Sequence, residues 1–112
     1  MKTSPTQRSL AHLRALGWTC TIVEKWNPHA GVRQDLFGFA DLLALDPKGK
    51  TITAVQVTSG NNFADRRKKL CSCANMKIWL RSGGVVLLHG WAKKGKRGER
   101  KVWSLREERI IR

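Results

Sequence analysis

Behind Ser4-Pro5-Thr6-Gln7, apolar residues recur at Leu10, Leu13 and Leu16, with Ala11 and Ala15 nearby. That spacing lines one face of a helix and predicts one over 5–16. Ser4 suits the N-cap, Pro5 the first helical position and Gln7 the far side of a capping box, while Gly17 supplies the stop. From Trp18 to Trp26 the pattern changes to β-branched residues, which predicts a strand. Asn27-Pro28-His29-Ala30-Gly31 reads as a turn. Residues 36–45 are apolar almost throughout, interrupted only by Gly38 and Asp41. Such a run predicts a strand covered on both faces. Asp46-Pro47-Lys48-Gly49-Lys50 is a hairpin-type turn, and 51–58 is a third strand. Asn61 or Asn62 then caps a long helix over 62–81, with Phe63, Leu70, Ala74 and Ile78 as its stripe and Met76, Trp79 and Leu80 widening it. Gly83-Gly84 ends it, and 85–91 is a fourth strand. A basic, glycine-containing loop over 93–101 leads to a short last strand at 101–105. The order predicts an α/β (α+β) fold, a mixed central sheet flanked by helices, as one domain over 1–112.

Composition narrows the function. The 112 residues are 41% hydrophobic, enough for a real core and too many for a disordered basic tail. No apolar run approaches ~18 residues and no signal region opens the chain, so the expectation is a cytoplasmic protein with no membrane contact. The net charge is +14, and it is unevenly spread: +1 over residues 1–46 and +13 over 47–112. One strongly basic half predicts a polyanionic partner, nucleic acid above all. The acids are few, and four of the 8 (Glu24, Asp35, Asp41, Asp46) fall in one short window. A protein that only holds phosphates gains little from gathered carboxylates, whereas one that sets a divalent cation beside phosphate needs them. Cys20, Cys71 and Cys73 fit neither a disulfide framework nor zinc spacing and read as reduced thiols partly filling the core. Trp26, Trp79, Trp91 and Trp103 read as core or interface residues rather than base-stacking platforms. His12 reads as a surface residue, and His29 and His89 as mostly structural.

Asp41 is a charge within an apolar run, and a buried lone carboxylate is costly unless a partner or metal offsets it. Gln56 is the matching polar intruder in the next strand. Two strands joined by a short turn set Asp41 and Gln56 side by side, and with the Val57 carbonyl they make a set of hard oxygen ligands suited to Mg²⁺ or Mn²⁺. The alternatives are a carboxylate paired with an Arg or a helix N-terminus, and a core amide bonded to backbone.

These residues resemble the PD-(D/E)XK nuclease superfamily, which includes restriction endonucleases, Holliday junction resolvases and VRR-NUC domains. Gly38-Phe39-Ala40-Asp41 resembles its second-strand Asp motif, and Val55-Gln56-Val57-Thr58 its acidic-x-Lys triplet, with Gln56 in the acidic position and Thr58 in place of Lys. The resemblance implies a restriction-endonuclease-like αβββαβ core. It implies metal held by Asp41, Gln56, the Val57 carbonyl and Glu24, with Asp35 an alternative to Glu24. It makes Asp41, Gln56, Thr58, Glu24 and Lys69 the catalytic set, Lys69 being one of three candidates, with Arg66 and Lys68, to supply the missing cation. Two basic runs would bind the nucleic acid. Arg66, Arg67, Lys68 and Lys69 open the long helix, and Lys93, Lys94, Lys96, Arg97 and Arg100 lie in the late loop; the bland reading of each is a solvated face.

The expected function is therefore a metal-dependent DNA endonuclease acting on duplex or branched DNA, of a structure-selective, phage, mobile-element or repair type, with a homodimer implied by resolvase-like members. The rival is a catalytically inactive nucleic-acid-binding protein on the same fold, and a third reading is a basic scaffold that occupies another protein's nucleic-acid channel.

Overall fold

A computed structural model describes residues 3–111. Helix α1 spans Pro5–Ala15, and Ser4 caps it as its sequence predicts, its Oγ accepting from the Gln7 N–H at 3.2 Å. Strands β1 (Thr19–Ile22), β4 (Leu42–Leu45), β5 (Ile52–Ser59), β6 (Val85–Lys94) and β7 (Val102–Ile110) form one sheet in the order β1-β4-β5-β6-β7. Only the β5–β6 pair is parallel. Its crossover carries helices α2 (Phe63–Cys71) and α3 (Ala74–Arg81). A separate ribbon pairs β2 (Lys25–Asn27) with β3 (Val32–Gln34). The protein is a mixed α/β fold with helices on both faces of the sheet.

The pleat divides the core in two. Ala54, Val86 and Leu88 face α2 and α3 and pack with Phe39, Phe63, Leu70 and Met76. Val55, Val57 and Leu87 face α1 and pack with Leu13, Leu42 and Trp91. Cys20 is buried, Cys71 and Cys73 pack against the core, and all three thiols are free. Gly90 is required where it stands, because a Cβ there would lie 2.5 Å from the Phe63 ring. Trp79 and Trp91 are core or half-buried, but Trp26 is 60% and Trp103 42% exposed, so these two are not core residues. His12 is half-buried against Trp91 and His89 rather than on the open surface.

Four elements depart from the sequence reading, each for a local reason. The strand expected over 18–26 stops at Ile22: the Val23 N–H closes on the Asp41 carbonyl at 3.0 Å, and the chain then leaves the sheet for the ribbon. The strand expected over 36–45 begins only at Leu42. Phe37 (φ 56°) and Gly38 (φ 79°) fold residues 36–40 into a tight turn closed by the Leu36 and Ala40 amides and carbonyls at 2.9 and 3.0 Å. The strand covered on both faces is β5, where Thr53–Thr58 are all buried. The helix expected over 62–81 is two helices, because the Ser72 hydroxyl bonds back to the Lys68 carbonyl at 3.0 Å and Cys73 is extended. Finally, β6 continues through Lys93 and Lys94, and β7 is a full partner along it rather than a short strand.

Candidate metal centre and nucleic-acid interface

The turn at 36–40 delivers Asp35 and Asp41 to the same place from its two ends. Asp41 is locked at the start of β4: its N–H donates to the Val55 carbonyl at 2.9 Å. Its side chain, 5% exposed, accepts from the Val57 N–H at 2.8 Å and from the Gln56 amide at 3.3 Å. Glu24 arrives from the opposite side, between β1 and β2. One step below the Lys25–Gln34 pair, Glu24 and Asp35 face each other at the base of the ribbon. Carboxylate oxygens of Glu24, Asp35 and Asp41 all lie within 4.8 Å of one another, close enough to hold one metal ion.

Such a cluster is unfavourable on its own. Like charges directly opposite each other on paired strands repel. Among the described residues the cluster has one cationic partner, Arg33, 3.4 Å from Glu24. Burial, reinforced by Asp35 and Glu24, pushes the Asp41 carboxyl up to about 8, against the lowering effect of the Val57 N–H. A bound cation reverses that balance, so the donor set fits a metal: three hard carboxylate groups, with a side-chain amide beside them.

A cleft of ≈ 310 Å³ adjoins the carboxylates, lined by Asp35, Gly38, Phe39, Gln56, Arg66, Lys69, Leu70 and Cys73. The spacing of Arg66, Lys69 and Leu70 puts them on one face of α2, with Cys73 just past its end. Arg66 and Lys69 also line a neighbouring depression of ≈ 500 Å³ with Asn62 and Asp65, so the two cations form the ridge between the hollows.

The expected site residues therefore separate. Asp41 and Glu24 meet at Asp35, Gln56 lies against Asp41, and Lys69 and Arg66 line the cleft that Asp35 and Gln56 also line. Val57 presents its N–H to Asp41, and its carbonyl leaves β5 along the same edge, where residues 36–40 have turned away from the sheet. Thr58 is buried two residues beyond Gln56 on the same face of β5. Arg67 is drawn off to the Glu108 carboxylate of β7, and that partner raises its pKa further. Lys68 is exposed on α2 and does not line the cleft. Lys93, Lys94, Lys96, Arg97 and Arg100 are not brought to the carboxylates: Leu88, the β6 partner of Gln56, precedes Lys94 by six residues, about 20 Å of strand. That run belongs to the β6–β7 hairpin and its tip, with Lys93 over the Trp103 ring at 5.3 Å.

No family model, curated protein or solved structure matches this chain.

Sequence reasoning underrated Asp35 and missed Arg33. Asp35 was masked by the strand expected over 36–45. The signal was Gly38, whose left-handed backbone makes the turn. Arg33 carries no signal in the sequence, and it is the ribbon that sets it opposite Trp26 and 3.4 Å from Glu24.

A second polar constellation lies on the α1 face. The Trp91 indole N–H donates to Ser9 Oγ at 2.8 Å, Ser9 Oγ lies 2.8 Å from His89 Nδ1, and His89 Nε2 lies 2.7 Å from Glu107. Facing a carboxylate, Nε2 carries the proton and Nδ1 accepts from the hydroxyl. The spacing imitates a nucleophile–base–acid relay, but Ser9 and His89 are fully buried. No substrate reaches them, and the chain of bonds ties α1 to β6 and β7.

Proposed function

We propose that this protein is a divalent-metal-dependent nuclease that hydrolyses phosphodiester bonds in DNA. The observation that carries the reading is the convergence of Glu24, Asp35 and Asp41 within 4.8 Å, beside a cleft walled by Arg66 and Lys69. Carboxylates facing a basic wall suit a phosphate bridged to a cation, and the carboxylate half has no use in a simple phosphate binder. The resemblance to PD-(D/E)XK motifs at Asp41 and Gln56 points the same way.

Glu24, Asp35 and Asp41 would hold Mg²⁺ or Mn²⁺, with Gln56 and the Val57 carbonyl as further oxygen donors. When bound, the cation supplies charge against the scissile phosphate and makes water a stronger acid for in-line attack. The chain's own groups do the rest. The Val57 N–H fixes the rotamer of Asp41. Arg66 and Lys69 neutralise the phosphate oxygens as charge develops on them, the task that Thr58 cannot perform without a charge of its own. The remaining basic residues, including the Lys93–Arg100 hairpin about 20 Å away, hold more distant phosphates.

Thr58 also favours a second reading, a nucleic-acid-binding protein that has lost catalysis. Plasmid and branched DNA incubated with Mg²⁺ or Mn²⁺, beside Asp41→Ala, separates the two. The nuclease cuts and the variant does not. Binding without cutting in either metal assigns the second reading.

A further inference from the structure

The β2–β3 ribbon has no buried residue, and its strands contact chiefly each other. A lone two-stranded ribbon in water is marginal, so its retention here calls for a partner. Its register says which face matters. Trp26 pairs with Arg33, and one ladder step further down, at i−2 and i+2, stand Glu24 and Asp35. Residues two apart on a strand share a face. Trp26 and Arg33 therefore stand on the same face as two of the three clustered carboxylates, with the Trp26 Cα within about 7 Å of the Glu24 Cα.

Trp26 is 60% exposed. Among the described residues no aromatic ring or cation stacks on it, whereas the other exposed indole, Trp103, carries the Arg8 guanidinium at 4.0 Å. An open indole face beside Arg33, on a chain of net charge +14, matches a nucleobase with its phosphate rather than an apolar protein surface. Bases inside a paired helix are already stacked on their neighbours, so the indole gains most from a base that is free.

We propose that Trp26 stacks on an unpaired base of the substrate strand beside the phosphate at the carboxylate centre, so that the protein prefers DNA with an unpaired nucleotide there over fully paired duplex. Arg33, released from Glu24 as a cation takes over that carboxylate, contacts the same phosphate. The inference rests on the nuclease-site reading for the position of that phosphate, and its test reads binding rather than cutting.

The probes are two fluorescent duplexes of one sequence, one fully paired and one with a single central bulged adenine. A third carries 2-aminopurine at the bulge. Anisotropy titrations in Ca²⁺, with probe integrity checked on a gel, give the affinity ratio. The native protein binds the bulged duplex at least about fivefold more tightly and quenches the 2-aminopurine, as base–aromatic stacking requires. Trp26→Ala brings the ratio to about one and removes the quenching, while Trp26→Phe keeps most of both. The melting temperature of Trp26→Ala matches the native protein, because the ribbon has no buried residue. Equal affinities in the native protein, or a ratio that survives Trp26→Ala, overturn the proposal. So does a native dimer that Trp26→Ala converts to monomer with the ratio unchanged, which assigns the ribbon to a second copy. A full ratio without cleavage in Mg²⁺ or Mn²⁺ counts against the nuclease reading and supports the stacking.

Discussion

The two faces of the sheet carry two polar clusters, each with a buried titratable member, built to opposite standards. On the α1 face, Trp91, Ser9, His89 and Glu107 form a chain in which each donor meets an acceptor. On the α2 face, Glu24, Asp35 and Asp41 crowd three acids around a single Arg33. Both clusters shift a titratable group, in opposite senses. Burial lowers the His89 pKa, outweighing Glu107, and so keeps the ring neutral. Burial and two neighbouring acids raise Asp41 to about 8. The first cluster is complete without a ligand and serves the fold. The second is short of positive charge, and that shortage is what makes it the candidate metal centre.

The contrast can be broken most sharply at Asp41. Asp41→Asn is expected to cut the cleavage rate by at least about 10³-fold, or ~4 kcal/mol of transition-state stabilisation. It is expected not to lower the melting temperature of the metal-free protein, since it removes a carboxyl whose ionisation burial and the neighbouring acids oppose. Ser9→Ala should behave oppositely. It strands the Trp91 N–H and His89 Nδ1, so urea unfolding should show a loss of about 1–3 kcal/mol per group left unsatisfied. Cleavage by the folded fraction should persist. A Ser9→Ala protein that stays stable but stops cutting would reverse the roles of the two faces.

Cation linkage is next in size. Mn²⁺ at a hundred times its dissociation constant should raise native stability by about 2.7 kcal/mol and raise that of Asp41→Asn far less.

The smallest effect is in the pH dependence of the metal-free protein. Asp41 has a folded pKa above its unfolded value, so between about 4 and 8 the folded state binds more protons, and its contribution to stability falls as pH rises. His89 has a folded pKa below its usual 6.5, so the unfolded state binds more protons there, and its contribution rises with pH up to that value. Subtracting the Asp41→Asn and His89→Gln stability curves from the native one should give slopes of opposite sign.

Much of the frame was legible in the sequence. The Ser4 cap, β5, the mixed sheet and the Asp41–Gln56 adjacency follow from capping chemistry, β-branching, the order of the elements and the period-two pattern. The departures arise where local backbone chemistry overrides hydrophobicity. Phe37-Gly38 reads as apolar filler, yet its positive φ ends a strand and brings Asp35 to Asp41. Ser72 lies within a helical stripe, yet its hydroxyl turns back on Lys68 and splits the helix, and this orients Lys69 and Leu70 with Cys73 along the cleft. Trp26 reads as core or interface because indoles usually are, and only the register of the ribbon shows it standing free beside the carboxylates. The basic runs were legible as charge but not as geometry. Adjacent positions on α2 point in different directions, and so Arg67 goes to Glu108 while Arg66 and Lys69 go to the site.

The most direct test of the metal centre is Mn²⁺ binding measured by calorimetry or electron paramagnetic resonance on native protein and Asp41→Asn side by side, without DNA. The expected result is one Mn²⁺ per chain in the native protein, displaced by excess Mg²⁺, and a dissociation constant at least about tenfold weaker in the variant. No saturable Mn²⁺ site in the native protein, or equal affinity in Asp41→Asn, would contradict the assignment of Glu24, Asp35 and Asp41 as a metal centre.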